Sequence, residues 1–229
     1  MLTDRLIPNV DQRISAWIAI QERLARQARP RPKPTITISR QFGCEAYPLA
    51  ESLKTELEKR TGESWTIFDK ALIERVSRET HLSERLLGNL GDESHALDTL
   101  ATLIPGWRTH SEAYEVLARY IVRIAQEGNA IIVGRGGAVV TQNLPRCFHF
   151  RLEAPFEHRV QSIQRRLNVG PKEAEKIVTE HQKSRERFLE TFLHCSIADS
   201  RYYNAIFNSS KNALEQIARS ILELVPLMT

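Results

Sequence analysis

The stretch ITISRQFGCEAYPLA, Ile36 to Ala50, runs strand, glycine turn, helix. Chains build phosphate-binding loops in this order. Glycine lets backbone N–H groups close around oxygen atoms, and the helix that follows adds its positive end. The residues inside the stretch fit that chemistry poorly. A loop of the G-x-x-x-x-G-K-[ST] kind also supplies a lysine for the phosphates and a hydroxyl for Mg²⁺. Here Gly43 alone stands in the turn, Ala46 falls at the lysine position, and the hydroxyl position lies near Pro48. Glu45 places a negative charge where phosphate would sit. Local chemistry favours a plain strand–helix corner over a phosphate loop. Cys44, beside the turn, is reactive only if the helix end lowers its pKa.

AIIVGRGGAVV, Ala130 to Val140, has the same strand–turn–helix layout, and two functional readings compete for it. One is a dinucleotide fingerprint with Gly134 and Gly136 in place but Val139 at the third glycine position, and Glu153 as a ribose acceptor. The other is Arg135 presented at the carboxyl end of a central strand, where ligands of open α/β sheets bind. A guanidinium there suits phosphate, which it holds with two parallel hydrogen bonds. The bland alternative is an arginine paired with a nearby carboxylate.

The third stretch is a helix over 171–193. At ~100° per residue, Val178, His181, Phe188 and Phe192 share one face, which should be buried, and Arg185 falls on it too. An arginine turned inward needs an anion. That anion is a structural carboxylate or a ligand phosphate. Lys172, Lys176, Lys183 and Arg187 form a separate stripe about 60° wide, best read as a solvated face. Asp69 ends a strand and either caps the next helix or holds a sugar hydroxyl, with capping favoured. The seven histidines form no HxxxH pair and the three cysteines no CxxC, so no metal site is expected from them.

The elements around these residues alternate. Residues 10–28 read as an amphipathic helix, followed by the basic, proline-broken linker RQARPRPKP. This helix has two destinations open, the main domain or a second copy in a homodimer. Strands are expected at 35–39, 65–69, 129–134, 146–153 and 202–208. Helices are expected at 48–60, 70–79, 111–128, 156–167, 171–193 and 211–226, and 81–108 is ambiguous. Strands alternating with helices argue for an open parallel α/β sheet. The division is 1–34 for the helix and linker and 35–229 for the main domain.

In order, these pieces resemble the cytidylate kinase-like family of P-loop nucleoside monophosphate kinases. TITISRQFG is similar to its I-S-R-x-[FY]-G opening, and IFDKALIERVS to its Y-D-K-x-L-I segment. IIVGRGGAVV is similar to V-G-R-G-A, and FHFRLEAPFEHRVQSI to V-x-L-x-A-P-x-E-x-R-x-x-x-I. QKSRERF matches D-K-x-R-x-x-Y in part, and YYNAIFNSS matches Y-D-L-x-I-N-T in part. The resemblance spans roughly 35–226. It implies a three-layer parallel sheet of P-loop kinase type, with a lid-like helical region at about 165–195. It also implies ATP and Mg²⁺ as cofactors, and transfer of a phosphoryl group to a nucleoside monophosphate, CMP first. By position, Arg40, Gly43 and Cys44 belong to the phosphate loop. Asp69, Arg135 and Gly136 face the acceptor nucleotide, and Lys183 and Arg185 are lid residues that clamp phosphates.

The chain departs from this pattern where the donor phosphate should sit. G-C-E-A replaces G-S-G-G, and Tyr47 replaces the basic residue that follows. Gln182 and Asn204 replace two aspartates, and Gly136 replaces the aspartate of G-R-D in cytidylate kinases proper. The alternative to transfer is therefore a relative that binds a nucleotide, another phosphate ligand or a protein partner without phosphoryl transfer. A dinucleotide-dependent oxidoreductase is the third reading.

Composition bounds the rest. The chain has 229 residues, 41% of them apolar, with a formal charge of +4. That suits an anionic small ligand, and no specific nucleic acid is expected. No apolar run approaches the ~18 residues of a membrane span. The scattered cysteines suggest reduced thiols and a cytoplasmic location.

Overall fold

The structure is a computed structural model that describes residues 10–25, 33–78 and 110–226. Most of the linker and the ambiguous segment 81–108 lie outside the described residues. Five strands form one all-parallel sheet: β1 (Thr35–Arg40), β2 (Thr66–Phe68), β3 (Ala130–Val133), β4 (Cys147–Glu153) and β5 (Ala205–Asn208). Their order is β2-β3-β1-β4-β5, so β1 lies at the centre. The helices are α1 (Val10–Ala25), α2 (Ala46–Thr61), α3 (Lys70–Arg78), α4 (His110–Glu127), α5 (Gly137–Val140), α6 (Phe156–Leu167), α7 (Pro171–Leu193) and α8 (Leu214–Leu224). Helices pack on both faces of the sheet, which makes an open, parallel α/β architecture in three layers.

The period-two alternation of the strands sorts the two faces. Ile36, Ile38, Ile131, Val133, Phe150 and Leu152 pack with the apolar faces of α2 and α8. Ala130 and Ile132 point the other way, into a cluster with Phe68, Leu72, Ile73, Tyr120 and Ile121. On that second face β1 and β4 carry polar residues, and each needs a partner once buried. Thr35 Oγ1 donates to the Ala125 carbonyl at 3.0 Å, and Thr37 Oγ1 lies 2.9 Å from His149 Nδ1.

Boundaries shift where local chemistry intervenes. Helix α2 begins at Ala46, two residues before Pro48, because a proline in the first turn forfeits only an N–H that has no helical partner there. β5 begins at Ala205 rather than 202, because Ser200–Tyr202 forms a 3₁₀ turn whose N-cap, Asp199, accepts from the Arg201 N–H.

Helix α1 docks on this chain. Ile14 and Trp17 are buried in the second cluster, with Trp17 edge-on to Phe68 at 5.7 Å between ring centroids. Arg13 grips Asp69 with both nitrogens, at 3.0 and 3.1 Å, and donates to the Ile67 carbonyl. The face that could have met a second copy is thus packed against the chain's own β2 and α3. A third cluster, Val160, Ile163, Ala174 and Val178, joins α6 to α7 and takes in Phe42 from the loop between β1 and α2.

Trp17→Ala should lower stability by about 3 kcal/mol, read as a shift of the urea midpoint with the slope unchanged. Burial pushes the His149 imidazole down from 6.5 to about 4. Between those values the unfolded chain binds a proton that the native chain does not. The resulting stabilisation, at most about 3 kcal/mol, is fully present above pH 6.5 and is lost as pH falls toward 4. His149→Gln should flatten the loss of urea stability between pH 7.5 and pH 4.5, conditions chosen at roughly the ends of that window.

Candidate functional site

At the carboxyl ends of β1 and β3 the chain leaves a cleft of about 280 Å³. Residues 37–42 form one side, residues 133–139 the floor, and α7 the wall, with His181, Ser184, Arg185, Phe188 and Leu189. Arg40, Arg135, Arg185 and Lys70 all line it, and among the described residues that do so there is no aspartate or glutamate.

Each arginine is placed by a different element. Arg40 ends β1, and its guanidinium lies directly over Gly134. A Cβ on Gly134 would overlap Arg40 Nη1, and the backbone there has φ +85°, so glycine is required twice over. Arg135 itself has φ +53°, a left-handed conformation that turns the chain sharply at the strand end. Its carbonyl accepts from Tyr114 Oη at 3.1 Å, and its guanidinium sits 5.0 Å from the centroid of the Phe188 ring. Arg185 comes from α7, donates to the Arg40 carbonyl at 3.3 Å, and sits 4.9 Å from the centroid of the Phe42 ring.

Like charges brought together out of water destabilise one another. Burial first, then Arg40, pushes Arg185 down to about 9. Burial, with Arg135 adding to it and Asp69 opposing it, lowers Arg40 to about 10. Both remain protonated at neutral pH. The inward turn of Arg185 is as the helical spacing predicts, and none of the described residues that line the cleft with it is a carboxylate. Arg135 stands at the strand end as read from sequence.

The loop between β1 and α2 tells a different story. A phosphate cradle needs free N–H groups, and here those of Gln41, Phe42, Cys44 and Ala46 already have acceptors. These are the Leu152 carbonyl, Gln182 Oε1, the Gln41 carbonyl and the Cys44 carbonyl, at 3.0, 2.8, 3.2 and 3.1 Å. Glu45 Oε1 accepts from Ser162 Oγ at 3.1 Å. Gly43 sits at φ +99°, and a Cβ there would lie 2.7 Å from Arg159 Cβ. Arg159 is buried beneath the turn and donates to the Ala154 and Phe42 carbonyls at 3.1 and 3.3 Å. Burial pushes the Cys44 thiol up, opposite to what a reactive cysteine needs. As they stand, the loop residues do not fit an ATP·Mg²⁺ phosphate chain.

Other residues singled out in the sequence fall in varied places. Asp69 lies off the cleft lining. It caps α3 by accepting from the Leu72 N–H at 2.9 Å and is neutralised by Arg13. Gly136 lines the cleft at φ +71°, and a Cβ there would strike Leu193 and Tyr114. Lys183 is exposed and outside the lining. Glu153, the ribose acceptor of the dinucleotide reading, holds Arg151 Nε at 2.6 Å, and the helix after Gly136 has only four residues.

Sequence reasoning passed over Lys70, Ser39, Ser184 and Tyr203, all of which line the cleft. Lys70 stands next to Asp69 at a strand end, a signal that could have found it. Tyr203 reaches Ser39 Oγ at 3.3 Å across 164 residues of chain, which no local pattern reveals.

The model of the cytidylate kinase-like family matches residues 35–211. The chain belongs to that family. Its function is accordingly nucleotide-kinase-like in kind. No curated protein matches this family member. Among solved structures it is similar to an uncharacterized protein from Eubacterium ventriosum ATCC 27560. That likeness has a TM-score of 0.63 at 16% identity over 84% of this chain and 98% of the other, and it shows the fold. The chain is also similar to the shikimate kinase from Bacteroides thetaiotaomicron, with a TM-score of 0.46 at 13% identity over 85% and 99% of the two chains. That last likeness is a loose one.

Gly134→Ala should lower stability by about 2 kcal/mol, from the left-handed backbone and the displaced Arg40 guanidinium. Urea unfolding checks it, with Gly62→Ala as a control at positive φ, where a Cβ meets nothing within 4 Å.

Proposed function

We propose that this cytidylate kinase-like protein binds the phosphate of a nucleotide in the arginine cleft and does not pass a phosphoryl group on. One observation carries the reading. Arg40, Arg135 and Arg185 converge on one cleft with no carboxylate among the described residues that line it, while the loop amides of Gln41, Phe42, Cys44 and Ala46 are committed to acceptors within the protein. A phosphate dianion relieves the repulsion among the guanidinium groups and takes charge-assisted hydrogen bonds from them. CMP is the first ligand to try, by resemblance.

In this reading each group has a task. Arg135 and Arg185 take phosphate oxygens, and Arg40, buried over Gly134, supplies positive potential from the cleft side. Lys70 adds a point charge at the start of α3. Phe188 and Phe42 back the guanidinium planes of Arg135 and Arg185 and keep water from one side of each. The family implies ATP and Mg²⁺. Among the described residues the cleft lining offers no carboxylate for a metal, and the four loop amides named are already bonded, so no step is assigned to either.

Phosphoryl transfer from ATP to CMP is the second reading. It is favoured by the retention of Arg135 and Arg185 in one cleft at the sheet's carboxyl edge, and it requires the loop to reopen.

The test pairs binding with turnover. CMP should raise the Tm and bind by calorimetry, and Arg135→Ala and Arg185→Ala should each weaken binding by about 10- to 100-fold. No ADP should form when ATP, Mg²⁺ and CMP are incubated with the protein. Accumulation of ADP that is lost in Arg185→Ala would establish transfer instead. Absence of any shift with nucleoside monophosphates, phosphate or pyrophosphate would overturn phosphate binding.

A further inference from the structure

Helix α7 carries a cation to the edge of a cleft that already holds other cations. Arg40 and Arg135 both act against Arg185, and so does Arg166 on α6. This repulsion disfavours the approach of α7 to the cleft. The contacts that oppose it gather on two residues of the loop between β1 and α2. Gln182 Oε1 accepts the Phe42 N–H at 2.8 Å, across 140 residues of chain. The His181 ring stacks on Phe42, with centroids 4.6 Å apart and planes 10° from parallel. Arg185 covers the Phe42 ring and donates to the Arg40 carbonyl. Gln182 is itself fixed, because its Nε2 donates to Glu186 Oε1 at 2.8 Å. That second bond sets which end of the amide faces the loop. Phe42 also packs with the small core that joins α6 and α7.

We propose that Phe42 and Gln182 clamp α7 against the cleft whether or not an anion is present, so that Arg185 stands in its binding position in advance. Both are positioning residues for Arg185. The inference rests on the reading that the cleft takes a phosphate, and it adds how the cleft is kept ready for one. A helix held only by its arginine would close when an anion arrived and open when it left. A helix held by a backbone N–H, a stacked ring and a carbonyl stays closed. Anion binding is then a fit to a formed site and not the trigger of closure.

Amide hydrogen exchange on the full chain, with and without sodium pyrophosphate, tests this. In the unmodified protein the peptide covering 181–189 should be protected without pyrophosphate, and added pyrophosphate should change its exchange less than about twofold. In Gln182→Ala the same peptide should exchange roughly tenfold faster without pyrophosphate, and pyrophosphate should restore its protection. Phe42→Leu keeps the backbone contact, removes the stacked ring and should give an intermediate rate, which covers the case in which Gln182→Ala fails to fold.

The proposal is overturned if the unmodified protein gains protection only with pyrophosphate, or if Gln182→Ala exchanges at the unmodified rate. It is also overturned if Gln182→Ala binds pyrophosphate by calorimetry without recovering protection, since Gln182 would then serve only local packing. Failure of pyrophosphate to bind the unmodified protein counts against the phosphate reading. The ligand-free comparison between the two proteins still decides the clamp.

Discussion

Guanidinium groups gathered at one end of a parallel sheet repel one another, and much of this structure is arranged around holding them there. Arg40, Arg135 and Arg185 come from β1, the turn after β3, and α7. Among the described residues that line the cleft there is no aspartate or glutamate. The supports of the three arginines are of another kind: the Cα of a glycine, the faces of Phe188 and Phe42, and a backbone carbonyl. Aromatic faces and carbonyls favour a cation without neutralising it. The contacts named here therefore leave the positive charge of each guanidinium in place.

Three carboxylates among the described residues have partners outside the cleft lining. Asp69 is held by Arg13 from α1, and Glu153 by Arg151. Glu45 faces Ser162 on α6. Helix α1, which the linker composition sets apart from the main domain, thus does two jobs. It buries Ile14 and Trp17 over β2 and α3, and it neutralises Asp69, whose charge acts on Arg40. Asp69 still raises the pKa of Arg40, against the larger effect of burial, so this balance reaches into the cleft itself.

The loop between β1 and α2 is where kinase-like layout and local chemistry part. A phosphate loop works by leaving amides unsatisfied until an anion arrives. Here the turn is closed by its own carbonyls, by Gln182 from α7 and by Arg159 from below. The substitutions read from the sequence at Glu45 and Ala46 mark the same place. The closure, however, is completed by residues more than a hundred positions away. The loop and α7 are in effect one unit, with Phe42 as the joint.

Much of the fold was legible because it depends on short-range periodicity. Alternating apolar residues in Thr35–Arg40 and Cys147–Glu153, the wholly apolar Ala130–Val133, and the 3.6-residue spacing of 156–167 and 171–193 each carry their own secondary structure. The inward turn of Arg185 and the strand-end place of Arg135 follow from the same periodicities, since both are fixed by position within one element. The sequence by itself determined those elements and the residues at their ends. Only the tertiary structure decided what those residues meet. That Arg40 lies on Gly134, that Arg13 claims Asp69, and that Gln182 takes the Phe42 N–H are matters of strand order and helix docking. These contacts join positions 56 to 140 residues apart, and no local pattern encodes which partner arrives. Burial then sets the charge balance of the cleft, because desolvation depends on the whole surrounding shell of atoms and not on the residue that carries the charge.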